Sequence, residues 1–387
     1  MTVVKKAFNL CVVFTLWLVI SPSVTLAQHY NETILVSSIP GVGTNALNGH
    51  DAQLVNAWGL TRSATSPWWV ADNGTGLSTL YNGVGNKQGL IVTIPVPPGV
   101  TTPAAPTGVV VNGTATDFLL PAVPPAASAA ARFIFVTEDG VIAGWNGGSA
   151  AVPKVDNSTK GAVYKGCTIA EVNGKHYLFV TNFHSGEIEV YDSTFTPVTL
   201  DKHAFAVGDG DDDHDGGESD DHHGRFVPFN VQAIGTNLYV TYAKQGPDKH
   251  DQVDGAGLGF VNVFDTAGRR LAHLQRGLWF NAPWGVAMAP GEFGEFSHSL
   301  LVGMFGSGQI AAFNPVNGSF LGLIKKHDDS ILSIEGLWAL GFGAGNASSG
   351  AYNTLYFTAG PNTEGDGNFG TLVVDPATTE LGEVDEP

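Results

Sequence analysis

The chain has 387 residues, 43% of them hydrophobic and only 14% charged, with a formal net charge of −18. A disordered chain shows the opposite balance, and an acidic surface repels a phosphate backbone, so a folded protein with no nucleic-acid partner is expected. Of its two cysteines, Cys11 falls in a leader, which leaves Cys167 alone and excludes an intramolecular disulfide in the mature chain.

Lys5 and Lys6, an apolar run over 7–20, Ser21-Pro22 and the small-residue end at Ala27 form the three-part pattern of a signal peptide over 1–27. The run is shorter than the ~20 residues that cross a bilayer, and no later stretch is apolar enough, so no membrane span is expected in the mature chain. The expected location is secreted and extracellular, or periplasmic or cell-surface in a bacterium. In a eukaryotic host, Asn31, Asn73, Asn112, Asn157, Asn317 and Asn346 stand in glycosylation sequons.

From residue 28 to 375 one unit recurs six times: a short apolar strand, a β-rich run closed by a polar turn, then an alternating strand. The first copy reads Asn56-Ala-Trp-Gly-Leu, Trp68-Trp-Val-Ala-Asp-Asn-Gly, Leu77-Ser-Thr-Leu-Tyr. The second is Pro106-Thr-Gly-Val, Phe133-Ile-Phe-Val-Thr-Glu-Asp-Gly, Val141-Ile-Ala-Gly-Trp. The third is Tyr164-Lys-Gly-Cys, Tyr177-Leu-Phe-Val-Thr-Asn-Phe-His, Glu187-Ile-Glu-Val-Tyr. Copy four runs Pro228-Phe-Asn-Val, Leu238-Tyr-Val-Thr-Tyr-Ala-Lys, Phe260-Val-Asn-Val-Phe. Copy five is Pro283-Trp-Gly-Val, Leu300-Leu-Val-Gly-Met-Phe-Gly, Gln309-Ile-Ala-Ala-Phe, and copy six Gly336-Leu-Trp-Ala, Leu355-Tyr-Phe-Thr-Ala-Gly-Pro-Asn, Thr371-Leu-Val-Val.

Period-2 and β-branched runs bounded by Gly, Asn, Asp and Pro are strand and turn signals, and no sustained helical period competes with them. A fourth strand follows most copies, as at 88–94 and 319–324, and four-stranded units repeated radially are propeller blades. The expected fold is therefore all-β, a six-bladed β-propeller. Residues 34–38 precede the first copy, and pairing them onto the three-stranded sixth would close the ring and cover a sheet edge. Inserts at 95–106, 121–131, 208–224 and 245–259 account for the long spacing. The insert 208–224 is Asp- and His-rich and lacks the ligand register of a calcium loop, so it reads as a solvated segment, as does the acidic tail 376–387. Cys167, among apolar neighbours, reads as a buried and inert thiol.

Function is expected on one face, where loops entering the innermost strands meet loops joining second to third strands. The first set supplies Asn56, Trp58, Lys165, Asn230, Trp284, Glu335 and Trp338. The second supplies Asp72, Asn73, Glu138, Asp139, Asn182, His184, Tyr242, Lys244, Phe305 and Asn362. As structure, these are turn formers and packing aromatics. As a binding site, the aromatics offer faces for sugars and the amides and carboxylates offer partners for hydroxyls. As a hydrolase, the same oxygens offer a divalent cation such as Ca2+ its ligands. No nucleophile motif singles out a catalytic residue.

Several stretches, among them Trp69-Val-Ala-Asp-Asn-Gly-Thr-Gly-Leu-Ser-Thr-Leu-Tyr-Asn-Gly, Arg132-Phe-Ile-Phe-Val-Thr-Glu-Asp-Gly, Asn281-Ala-Pro-Trp-Gly and Leu355-Tyr-Phe-Thr-Ala-Gly-Pro-Asn, closely resemble a family of uncharacterised secreted NHL-like β-propeller proteins, some with a C-terminal sorting segment. The resemblance runs over 34–370. It implies export and a propeller, and it transfers no catalytic residue. The insert before Phe226 stands where the resemblance implies a short Pro-containing connection. The expected function is a binding or scaffold module presenting this face to an extracellular glycan, small molecule or protein. The alternative, by analogy of fold, is a divalent-metal-dependent hydrolase of the lactonase type.

Overall fold

The structure, a computed structural model, describes residues 29–121, 128–201, 203–206 and 225–376. The expected signal peptide, the acidic insert 208–224 and the tail after Pro376 lie outside the described residues.

Each repeat folds as expected into one antiparallel sheet. After β1 (Tyr30–Ser37), blade 1 is β2 (Ala57–Thr61), β3 (Trp68–Asp72), β4 (Leu77–Tyr81) and β5 (Val92–Thr93). Blade 2 starts with β6 (Pro106–Val111). A side hairpin, β7 (Leu119–Leu120) with β8 (Ala129–Ala130), interrupts it before β9 (Phe133–Thr137), β10 (Val141–Trp145) and β11 (Val152–Asp156). Blade 3 is β12 (Tyr164–Val172), β13 (Lys175–Asn182), β14 (Glu187–Tyr191) and β15 (Pro197–Val198). Blade 4 is β16 (Phe226–Ile234), β17 (Asn237–Gln245), a short β18 (Gln252–Val253) on β17, β19 (Phe260–Phe264) and β20 (Arg270–His273). Blade 5 is β21 (Pro283–Met288), β22 (Leu300–Met304), β23 (Ile310–Phe313) and β24 (Phe320–Leu323). Blade 6 is β25 (Leu337–Phe342), β26 (Leu355–Ala359) and β27 (Asn368–Val374), with β1 as its outer strand.

The closure follows the expectation with a longer strand. β1 pairs antiparallel with β27 from Tyr30↔Val374 to Ser37↔Asn368, with a bulge between Ile34 and Val36. Tyr30 anchors its start, buried and donating from its hydroxyl to the Phe293 carbonyl of blade 5 at 2.9 Å. The outer strand of blade 1 is shorter than the expected 88–94, because only Val92 and Thr93 pair with β4.

Second strands β3, β9, β22 and β26 are buried at every position, which is why they read as continuous apolar runs rather than alternating ones. Aromatic rings fill the wedges between blades: Trp69 of blade 1 stacks on Phe133 of blade 2 at 4.1 Å between centroids. Truncating one such ring to Ala typically costs about 3–5 kcal/mol.

Every innermost strand shifts register once, near its second position in five blades and around Phe229 in the longer β16. Neighbouring blades come close there. A Cβ on Gly59 would lie 2.2 Å from the Thr107 carbonyl oxygen, and one on Gly166 would lie 2.1 Å from Asn230 Oδ1. Side-chain bonds cross the same gaps: Thr107 Oγ1 donates to the Tyr164 carbonyl at 2.7 Å, and Asn230 Nδ2 to the Trp284 carbonyl at 2.8 Å. The inner strands thus form a tight ring, and second-position side chains point where that ring converges. Cys167 is buried just outside it, and burial pushes its thiol pKa up, in keeping with an inert role. No helix among the described residues is long and apolar enough to cross a membrane.

Candidate functional site at the channel mouth

The second positions of five inner strands are Trp58, Thr107, Lys165, Trp284 and Trp338, and Phe229, fourth in the longer β16, is their equivalent in blade 4. Three tryptophans would be natural ligand platforms, but they are only 1%, 5% and 0% exposed in the order Trp58, Trp284, Trp338. They pack on one another instead. Trp58 stacks on Trp338 at 3.5 Å, and Trp284 meets both edge-on at 6.3 and 6.1 Å. Phe305, half-buried, stacks on Trp338 at 4.0 Å and is the aromatic left at the rim. The tryptophans therefore make a floor that plugs the channel. Trp338 Nε1 donates to Asn56 Oδ1 at 2.8 Å and Trp284 Nε1 to the Lys165 carbonyl at 3.2 Å. Trp58 Nε1 is buried with no partner among the described residues.

Over this floor lies a polar chain drawn from several blades. Lys165 stands in the ring at the position that holds tryptophan in three other blades, and it is 0% exposed. Its ammonium lies 5.1 Å from the Trp58 ring centroid and 5.7 Å from that of Phe183. It bonds to Glu138 Oε1 and, at 3.3 Å, to Asp251 Oδ1. Glu138 Oε2 accepts from Asn73 Nδ2 at 2.9 Å. Asn73 Oδ1 accepts from Asn56 Nδ2 at 3.1 Å, and the same amide donates to Glu364 Oε2 at 2.8 Å. His250 Nδ1 donates to Asp251 Oδ1 at 2.9 Å. One network thus ties blades 1, 2, 3, 4 and 6, with blade 5 beneath it through Trp284 and Phe305.

The charges are tuned by this packing. Burial alone would lower the Lys165 pKa, but the fields of Glu138 and Asp251 outweigh it and hold the amine above its usual value. The His250 bond, with help from Lys165, offsets partial burial and holds Asp251 down to about 2. The same bond to Asp251 raises His250. Glu364 goes the other way: burial, then the nearby Glu138 charge, raises its carboxyl.

The backbone here is strained. Asn56 at the head of β2 has φ 46°, and Asn362, Thr363 and Glu364 follow one another at 56°, 54° and 64°. Left-handed backbone costs roughly 1–2 kcal/mol for a residue with a Cβ, least for Asn, so Thr363 and Glu364 are held by their surroundings.

Other expected site residues go elsewhere. Asp72 is fully buried inside blade 1, its Oδ1 taking a bond from Thr79 Oγ1 at 3.2 Å. Asp139 Oδ2 accepts the Ala105 N–H at 2.8 Å, as a turn residue does. Asn182 donates to Glu189 at 2.7 Å, away from Glu138. The His184 ring packs over Gly161. Asn230 spends its amide on the Trp284 carbonyl, and Tyr242 is buried, stacked on Phe260 at 4.6 Å. Lys244 makes no ion pair among the described residues. Glu335 and Asn362 are exposed at the blade 6 rim, where the Asn362 N–H donates to Glu335 at 2.9 Å. His250, Asp251 and Glu364 were not expected. They sit in the second-to-third strand loops of blades 4 and 6, the class that supplied Asn73 and Glu138. Reading 245–259 as a mere insert hid two of them.

A cleft of about 830 Å³ lies instead along β14 between Lys154, Glu189, Phe205 and Arg225. Ala206 and Arg225 flank the segment 207–224, so its outline there is not that of the whole chain.

No protein-family model matches the chain. Uncharacterized protein R640 of Acanthamoeba polyphaga mimivirus is 32% identical over 213 residues, which is 54% of this chain and 37% of that protein. The chain thus spans little more than a third of that relative. Uncharacterized protein L690 of the same virus is 29% identical over 345 residues, 86% of this chain and 83% of the relative. Among solved structures, a structural genomics protein of unknown function from Bacteroides thetaiotaomicron superposes with a TM-score of 0.53 at 11% identity, over 90% of this chain and 77% of that one. That likeness concerns the fold alone.

Proposed function

We propose that this propeller is a secreted binding module whose channel mouth takes a small ligand rich in hydrogen-bond donors and free of negative charge, a glycan face foremost. The supporting observation is the convergence of Asn56, Asn73, Glu138, Lys165, Asp251 and Glu364, from five blades, above a sealed aromatic floor. Lys165 and Glu138 are spent on each other and on the network. The groups facing solvent are Asp251, His250 and the rim of Glu364, mostly acceptors, with Phe305 as an apolar neighbour. Hydroxyls satisfy such acceptors, whereas an anion meets more carboxylate than one ammonium neutralises.

Ligand-observed NMR on residues 28–387 tests this with uncharged methyl glycosides, choline and a uronate. Saturation transfer is expected from glycosides, not from the uronate. Asp251→Asn and Glu364→Gln should each weaken binding roughly tenfold, about 1.4 kcal/mol. Preference for the uronate contradicts the reading, and choline as the sole binder replaces the glycan with an organic cation.

A metal-dependent hydrolase is the second reading, because Glu138, His250 and Asp251 offer ligand atoms within 4.8 Å of one another. The fit is poor. The carboxylate oxygens are engaged by Lys165, and a divalent ion about 4 Å from an ammonium is opposed by roughly 8 kcal/mol at an effective dielectric near 20. Metal analysis of the dialysed protein separates the readings: one tight divalent ion per chain favours the hydrolase.

A further inference from the structure

We infer that Lys165 is the resident cation of the channel mouth, holding the place a divalent ion would take between Glu138 and Asp251, so that its removal turns the mouth into a divalent-cation site. The inference concerns this chain's own charges and stands whichever ligand the mouth takes.

Four observations carry it. The ammonium touches Glu138 and Asp251, two members of the three-residue group whose ligand atoms lie within 4.8 Å of one another. It joins oxygens from blades 2 and 4 while anchored in blade 3, as a hard cation joins separate carboxylates. Its place is enclosed: the side chain is fully buried, Trp284 Nε1 holds the Lys165 carbonyl, and Gly166 beside it has no room for even a Cβ against Asn230, so the backbone that carries it is fixed. Finally, its stem and head lie against Trp58 and Phe183, so a shorter side chain opens space beside the carboxylates rather than letting solvent groups of the protein fill it. A lysine supplies one positive charge and no open coordination position, which is why the wild-type mouth is expected to hold substituents of a ligand and not to activate water.

The test titrates Mn2+ into the wild-type chain, Lys165→Ala, and Lys165→Ala with Asp251→Asn, following bound ion by electron paramagnetic resonance and melting temperature together. The Asp- and His-rich segment 208–224 is common to all three, so the readout is their difference. Lys165→Ala should gain one site at least roughly a hundredfold tighter than any site of the wild type, as expected on losing a like charge at this range. Mn2+ should raise its melting temperature, and Asp251→Asn should cancel both gains. If Lys165→Ala folds only with Mn2+, that rescue supports the inference. Lys165→Met with Glu138→Gln, which leaves no orphan carboxylate on Glu138, should fold without metal and gain no site. A wild-type mouth that binds Mn2+ as tightly as Lys165→Ala, with the site lost on Asp251→Asn, overturns the inference, as does a folded Lys165→Ala that gains nothing.

Discussion

Two clusters in this propeller are built from the same materials and differ in outcome. At the channel mouth, Lys165 joins Glu138 and Asp251. Inside blade 1, Lys87 reaches Asp51 at 2.6 Å, Tyr81 donates to the same carboxylate at 2.5 Å, and Asp72 lies buried beside them. The mouth draws on loops of several blades and opens to solvent at His250 and Asp251. The inner cluster comes from blade 1 and the segment leading into it, and Tyr81 belongs to an apolar wall with Leu54, Trp68, Val70 and Tyr356. Burial, followed by weaker opposition from the Thr79 bond and repulsion by Asp51, raises the Asp72 carboxyl well above its usual range, whereas Asp251 is held low. Shared composition does not make a shared role; access to solvent and the number of blades contributing do.

The largest expected difference is in stability. Lys165→Met leaves Glu138 and Asp251 without their cation and should cost about 3–5 kcal/mol. Lys87→Met leaves Asp51 still bonded to Tyr81 and the Gln53 N–H, and should cost roughly 1–3 kcal/mol. Urea denaturation gives both values, and the reverse order would break the comparison.

A second contrast is the sign of the pH dependence. Asp72 has a folded pKa above its unfolded value, so its ionisation costs stability as pH rises from about 4. Asp72→Asn should therefore gain on the wild type between pH 4 and 8. Asp251 has a depressed folded pKa, so its contribution is complete above about pH 4 and is lost only as pH falls toward about 2. The deficit of Asp251→Asn should hold between about pH 4 and 6, shrink in acid, and ease above about pH 6.5 as His250, raised by the same bond, loses its proton. Parallel slopes in thermal unfolding would contradict the assignment.

Glu364 gives a smaller effect of the Asp72 kind within the mouth. Its raised carboxyl is less stabilising when ionised, so Glu364→Gln should gain stability as pH rises above about 5 while losing ligand affinity. Smallest is Thr363→Gly, which relieves a φ of 54° and should stabilise by roughly 0.5–1 kcal/mol. If it destabilises, the left-handed run is not strained.

The blades were legible because β-branched runs, Gly turns and six copies of one unit all state the same fold, and the orphan strand before Asn56 announced the closure. The site was only partly legible. Asp72 and Asn73 are neighbours in one turn, yet strand alternation sends the first inward and leaves the second at the mouth. Trp58, Trp284 and Trp338 looked like platforms, but three large rings at equivalent positions of a narrow ring can only pack on one another. His250 and Asp251 lay in a long Gly-containing loop whose length concealed its equivalence to the loop of Glu138. Lys165 was readable in its register: a lysine at a tryptophan position of a repeat must be buried, and a buried ammonium requires carboxylates.

The most direct test compares calorimetric titrations of one binding methyl glycoside into Asp251→Asn and Asp72→Asn at pH 7. The account predicts a roughly tenfold loss of affinity for Asp251→Asn and wild-type affinity for Asp72→Asn. Equal losses in both, or a loss confined to Asp72→Asn, would contradict a ligand site at the channel mouth.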